Sequence, residues 1–165
     1  MGNCKCKALI VEFADDSSDI DQMLEVVREG IAESVYKDIE YDPAIIRHLL
    51  ENYSACDNHS STVILLKEIA TDRIVGVLLA NIAEQHPLFH KGRVAVELLW
   101  YIKPEFRGTR RSLQMLQTYE DWALINGATH ITCGSLSNES REMLDKVYTH
   151  RGMKLVELQY MKEIK

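Results

Sequence analysis

The feature that most constrains this fold lies in residues 93–134. A long apolar strand pattern, "RVAVELLWYI", is followed by a helix-length amphipathic segment and then by a second, short strand pattern, "THITC". Two strands joined through a helix cannot form a hairpin, so the crossover returns the second strand parallel to the first in one sheet. Upstream, "TVILLKEIATDRIVGVLLANIA" reads as two strands about a turn at Thr71-Asp72, and such a short connection implies antiparallel neighbours. The chain therefore has to build a mixed sheet covered by helices, an α/β (α+β) architecture.

The remaining elements fit that frame. Residues 7–13, "KALIVEF", form a first strand pattern. "ADDSSDID" supplies N-cap residues and first-turn acids to a helix whose periodic set is Ile20, Leu24, Val27 and Ile31, with Gly30 near its end or a bend. A second helix opens at Asp42-Pro43, with proline at its first position and Ile45, Ile46, Leu49, Leu50 and Tyr53 on its buried face. The crossover helix spans about Gly108 to Asn126, with Leu113, Leu116, Tyr119 and Ala123 on one face and Asn126-Gly127 as its stop. "SNESREMLDKVYTHRG" is a last capped helix, and "MKLVELQYMKEI" is expected to close the chain as one bent strand or two short ones. The order is β-α-α-β-β-β-α-β-α-β-β, in one domain over residues 1–165, with residues 1–6 as a tail. A chain of 165 residues has enough length for one domain with a substantial core.

Composition narrows the function. The net charge of −6 disfavours non-specific nucleic-acid binding and suits a basic small molecule or a lysine-bearing partner. No apolar run approaches the ~20 residues of a membrane helix, and "MGNCKCKALIVEF" lacks a secretory h-region, so a cytoplasmic protein is expected. Cys4 and Cys6 are close but lack the second half of a zinc site, and Cys56 and Cys133 stand alone, so reduced thiols and no metal are expected.

The chemistry begins in "WYIKPEFRGTRRSLQML", residues 100–116. Pro104 cannot donate a ladder hydrogen bond, so strand pairing stops near it. The next helix opens with free backbone N–H groups and a partial positive charge, Gly108 permits a tight turn, and Arg107, Arg110 and Arg111 add full charges. A strand leading into such a helix mouth is a natural cradle for a pyrophosphate. The same residues also read as a solvated basic face pairing with surface acids. Neither the Walker spacing nor the dinucleotide fingerprint is present.

This segment resembles the acyl-CoA-binding part of the GNAT N-acetyltransferase superfamily, which runs strand, P-E-x-R-G-x-G-x-G/A, helix, strand. The element order matches that fold over nearly the whole chain, and Tyr148, Gly152 and Met153 in "VYTHRGMKLVE" resemble the family's C-terminal Y-x-x-x-G-F. "LWYIKPEFRG" also looks like the small acetyltransferases carried by tailed bacteriophages. The departures from the signature Q/R-x-x-G-x-G/A are Arg110, where glycine is usual, and Ser112, where glycine or alanine is usual. A guanidinium at 110 can bond phosphate directly in place of close backbone contact.

The resemblance implies a GNAT fold with a splayed central parallel strand pair, acetyl-CoA as co-substrate, and direct transfer of an acetyl group to a primary amine. It places Trp100, Tyr101 and Ile102 along the pantetheine arm. It places Arg107, Gly108, Thr109, Arg110, Arg111 and Ser112 at the pyrophosphate, with Asn138 as a pantetheine partner or simply an N-cap. Direct transfer needs a base, an oxyanion donor and an acid. Glu97 is the only charge within "VAVELLWYI" and by strand alternation shares a side with Leu99 and Tyr101. Set among apolar residues its pKa should rise, which suits a base, though a strand glutamate paired with an arginine fits the same pattern. Tyr148 is the acid the resemblance implies, with a packed core tyrosine as the alternative. Acceptor contacts are expected from Asp15, Asp16, Glu84, His86 and His90, with His86 and His90 also open as the base in place of Glu97, and a homodimer is compatible with the family. The alternative function is a CoA-binding or regulatory protein of the same fold that has lost turnover and acts through a protein partner.

Overall fold

The computed structural model describes residues 8–55, 58–83, 92–135, 141–162 and 164. The chain falls into two units, residues 1–134 and 135–165. The first holds strand β1 (Leu9–Phe13), helices α1 (Ile20–Ala32) and α2 (Pro43–Ser54), strands β2 (Ser61–Glu68), β3 (Arg73–Ala83) and β4 (Val94–Ile102), helix α3 (Arg110–Ile125) and strand β5 (His130–Thr132). The second holds helix α4 (Arg141–His150).

The five strands lie in sequence order, β1-β2-β3-β4-β5, and each pair is antiparallel except β4–β5, which is parallel. Helix α3 supplies the crossover that this parallel pair demands. The β2–β3 turn falls at Thr71-Asp72, where Asp72 adopts φ 54°. The caps are those the sequence implies. Asp19 accepts from the Gln22 N–H, and Asp42 accepts from the Ala44 N–H ahead of Pro43.

Alternate strand residues build two cores. On one face Val63, Leu65, Ile74, Val77, Leu79 and Tyr101 pack with Met23, Leu24, Val26, Val27 and Leu50 of α1 and α2. On the other face Ile64, Leu66 and Leu78 are fully buried, and α3 covers β1 and β2 with Met115, Leu116, Tyr119, Trp122 and Ala123. Two expected core positions are corrected. Leu113 is half-exposed and Ile45 is 68% exposed, because the helical stripe that meets the sheet is centred one position further round. Gly30 lies near the end of α1, as expected, and a Cβ there would stand 2.9 Å from the Tyr101 ring, so close packing of helix on strand selects it.

Helix α4 ends where the sequence puts its stop, at Gly152 with φ 81°, and the Met153 N–H donates to the Tyr148 carbonyl. The expected closing strands are not formed among the described residues. Residues 153–162 carry no strand pairing, and Leu155, Val156 and Tyr160 are 74%, 85% and 95% exposed. Alternating apolar residues supply strand propensity, but an extended segment becomes a strand only when a neighbour takes its ladder hydrogen bonds.

Candidate active site

Strand β4 changes character halfway along. Val94, Ala95 and Val96 pair with His130, Ile131 and Thr132 of β5. The ladder then stops, and from Glu97 to Ile102 the strand keeps only β3 as a sheet neighbour among the described residues. At the point of divergence the Gly134 N–H donates to Glu97 Oε2 at 2.9 Å, so a side-chain carboxylate takes the bond that the next ladder step would have made. This is the splay that the resemblance implies.

A β-bulge sits at the same point. Leu79 pairs with Leu99 while Ala80 pairs with Glu97, which leaves Leu98 as an extra residue, half-exposed. Cross-strand partners point to the same face, so Glu97 lies with Ala80, whereas Leu99 and Tyr101 lie with Leu79 and Val77. The expectation that Glu97 shares a face with Leu99 and Tyr101 is therefore overturned. Simple alternation fails because one inserted residue reverses the phase. Glu97 is on the α3 side, and its neighbour there is Tyr119.

Burial pushes the Glu97 carboxyl up to about 7, against the opposing pull of the Gly134 hydrogen bond. Tyr119 is fully buried and donates to the Thr132 carbonyl at 3.1 Å. Its phenol is held far above the usual range by burial first, and then by the nearby Cys133 and Glu97. It is therefore a fixed hydroxyl that does not ionise near neutrality. Cys133 is a partly buried thiol, also close to this hydroxyl. Trp100 pairs with Leu78 and so shares the Glu97 face, and its buried indole N–H has no acceptor among the described residues. A buried donor without a partner is costly, and an incoming acceptor would satisfy it.

Below Ile102 the chain makes a 3₁₀ turn, Pro104–Phe106, and then Gly108 at φ 69°. Thr109 is the N-cap of α3, its side chain accepting from the Ser112 N–H. The backbone N–H groups of Gly108, Thr109, Arg110 and Arg111 have no acceptor among the described residues. Ser112 points inward. It is 8% exposed, and its hydroxyl lies 3.1 Å from that of Thr109 and 3.5 Å from the Phe106 carbonyl. A small residue is thus required at 112 by packing. Arg110 is exposed and has no side-chain partner among the described residues, and Arg111 bonds Gln114 on the helix surface.

Arg107 is held quite differently. Its Nε donates to the Ile102 carbonyl at 2.6 Å, its Nη2 donates to Glu33 Oε2 at 2.6 Å, and its guanidinium lies 5.1 Å from the Tyr101 ring centre. The Tyr101 hydroxyl donates to the other oxygen of Glu33 at 2.7 Å. Burial raises the Glu33 carboxyl, but the bonds from Arg107 and Tyr101 more than offset it and leave it below the usual range. Lys103, 8% exposed, adds a second tie from the same strand end to α1, reaching Glu29 at 2.8 Å and Glu25 at 3.3 Å. Glu25, Glu29 and Glu33 recur every four residues along α1 and its C-cap, a charged stripe that helical spacing makes visible in the sequence. Glu25 and Glu29 also border an open cavity of about 390 Å³ with Arg28, Ala32 and Tyr41.

The other expected residues are less informative. Asp15 accepts from the Ser17 N–H and hydroxyl and so closes its own loop, and Asp16 is exposed. Glu84, His86, His90 and Asn138 lie outside the described residues. In the second unit Tyr148 is buried, at 8% exposure. Among the described residues no helix is long and apolar enough to cross a membrane, and no cluster of three metal-ligating side chains occurs.

A mixed sheet whose parallel pair forks beside a helix mouth defines an acyl-CoA N-acyltransferase fold. The model of the Acetyltransferase (GNAT) family matches residues 25–152, and the chain belongs to that family, whose members are acyltransferases that use acetyl-CoA. Solved structures agree on the fold. An aminoglycoside acetyltransferase from an uncultured soil metagenomic sample superposes with TM-score 0.69 at 14% identity, covering 96% of this chain and 99% of its own. Glucosamine-6-phosphate N-acetyltransferase from Arabidopsis thaliana superposes with TM-score 0.67 at 14% identity, over 96% and 99%. A protein described as a transcriptional regulator from Bacillus halodurans reaches 0.70 at 16% identity, over 95% and 100%. A search of curated proteins by sequence found no match.

Proposed function

We propose that the chain transfers an acetyl group directly from acetyl-CoA to a primary amine of a small molecule or protein. The observation that carries this reading is the fork in β4, with a carboxyl raised to about 7 at its apex and a helix mouth offering free N–H groups at its end. The Gly108–Arg111 N–H groups, with the Arg110 and Arg111 guanidiniums, suit a pyrophosphate. The open edge of β4 at Trp100, Tyr101 and Ile102 suits an amide-bearing arm lying alongside as a strand would, with the Trp100 indole as one donor.

In the transfer, the amine nitrogen attacks the thioester carbonyl carbon. The C–N bond forms, the C–S bond breaks, and the ammonium proton passes to the Glu97 carboxylate directly or through one water. The departing thiolate takes a proton from Tyr148, an assignment resting on the family resemblance. A base titrating near 7 is half ionised at neutral pH, which is where a general base works best. The acceptor's class is left to chemistry. The acidic balance suits a cationic amine, and Glu84, His86 and His90 stand as acceptor contacts on the same resemblance.

The test is a titration with acetyl-CoA followed by thiol release over a panel of polyamines, aminoglycosides, amino sugars and lysine peptides. Binding with turnover on one class supports the reading, and absence of acetyl-CoA binding at high micromolar ligand removes it. A second reading, a CoA-binding protein without turnover, is favoured by one observation: the Glu97 carboxylate is already engaged by the Gly134 N–H. Binding with silence across the panel would select it.

A further inference from the structure

The three arginines of the turn do not do the same job. Arg107 has its fork committed three ways, to the Ile102 carbonyl, to Glu33 and over the Tyr101 ring, whereas Arg110 is exposed and has no side-chain partner among the described residues. Glu33 is the C-cap residue of α1, far from the turn in sequence, and each of its carboxylate oxygens receives one hydrogen bond from the β4–turn segment.

We propose that Glu33 is the positioning residue of the cofactor cradle, holding Arg107 and Tyr101 so that the turn after β4 presents its free N–H groups, and that Arg107 braces the turn rather than binding phosphate. This rests on the reading of the turn as an acetyl-CoA cradle and assigns its parts. Three observations carry it. Arg107 Nε bonds the carbonyl of the last β4 residue, so the guanidinium spans the turn from strand end to helix α1. Gly30 brings α1 against Tyr101 at the same place, so Glu33 is delivered by close helix packing rather than by a long loose side chain. Lys103, two residues beyond Tyr101, is tied to the same helix by Glu25 and Glu29, so the strand end is held to α1 at two points. Charge-assisted, forked hydrogen bonds of this kind fix geometry as well as adding energy.

The opposite arrangement makes a contrary prediction. If Glu33 merely sequestered Arg107 from phosphate, neutralising it would release the guanidinium and tighten binding. The experiment is calorimetric titration of CoA at several salt concentrations with wild type, Glu33→Gln, Arg107→Gln, the double variant and Arg110→Gln, each checked for folding by circular dichroism. Glu33→Gln is expected to weaken CoA about fivefold or more, the scale of a lost charge-assisted hydrogen bond, with an unchanged salt dependence. Arg107→Gln should do the same, and the double variant should be no weaker than the weaker single one, since the two act as a unit. Arg110→Gln should instead flatten the salt dependence. A purely structural weakening would not separate the salt dependences in this way. Tighter CoA binding by Glu33→Gln, a change within about twofold, or a salt dependence flattened by Arg107→Gln as by Arg110→Gln would each overturn the proposal. If Glu33→Gln fails to fold, the salt dependence of Arg107→Gln decides alone. Wild-type protein that does not bind CoA would instead remove the cradle reading, and this inference with it.

Discussion

The two halves of β4 are built from the same kind of residue and end up in different worlds. Val94 and Ala95 are buried between two neighbouring strands and are ordinary core. Among the described residues, Glu97 to Ile102 keep one neighbouring strand, carry the bulge at Leu98, and present an open edge beside a raised carboxyl and an indole N–H without an acceptor. The difference is made by a partner strand of three residues and by one extra residue in the ladder. An apolar strand is thus a necessary but insufficient condition for a core strand, and where pairing ends decides whether its edge is buried or open.

The sharpest way to test that contrast is at its hinge. Glu97→Gln should lower thiol release about a hundredfold or more, as loss of a general base does, while CoA affinity stays within about twofold. Wild-type turnover should rise from pH 6 to 8 as the carboxyl ionises near 7, and the variant should lose that limb. Equal turnover in wild type and variant at pH 8 would leave Glu97 as a strand clip only.

The same carboxyl predicts a stability profile. It titrates about 7 in the folded chain against 4.5 when unperturbed, so the unfolded state gives up its proton first. Its stabilising contribution is complete below 4.5 and is lost as pH rises through about 7, by up to about 3 kcal/mol. Chemical denaturation of wild type against Glu97→Gln over pH 4.5–7.5 should show the wild type declining relative to the variant. Parallel curves would mean that the group is solvated.

The outer half is also held by α1. Gly30→Ala should destabilise the fold by about 1–3 kcal/mol despite alanine's better helix propensity, because its Cβ meets the Tyr101 ring. An unchanged or raised melting temperature would show that the ring moves freely. The smallest expected effect is at the open end of the turn. Arg110→Ala should weaken CoA about threefold to tenfold at low salt, less at high salt, with the melting temperature unmoved. No effect at low salt would return Arg110 to the solvated surface.

Much of this was legible in the residues. The stretch "ADDSSDID" and Asp42-Pro43 marked helix starts, Thr71-Asp72 the β2–β3 turn, and Gly127 and Gly152, both at positive φ, the helix ends. These signals are local, and local backbone chemistry fulfils them wherever the chain goes. The face of Glu97 was not legible, because an apolar run looks the same with or without a bulge. The closing strands were not legible either, since residues 153–162 have the residues of a strand but no strand partner among the described residues. Arg107 was grouped with Arg110 because both stand in one turn, and only the fold brings Glu33 to one of them.

By itself, then, the sequence determined the order of elements, the parallel crossover, and the placing of glycine and arginine at a helix mouth, since each follows from periodicity, capping and backbone freedom over a few neighbouring residues. The tertiary structure decided where the β4–β5 ladder stops, which face Glu97 occupies, and which arginine is bonded to Glu33 and to the Ile102 carbonyl. Those outcomes depend on contacts between residues well separated in the chain, from Ala80 with Glu97 to Glu33 with Arg107, and no local pattern encodes which distant group will arrive.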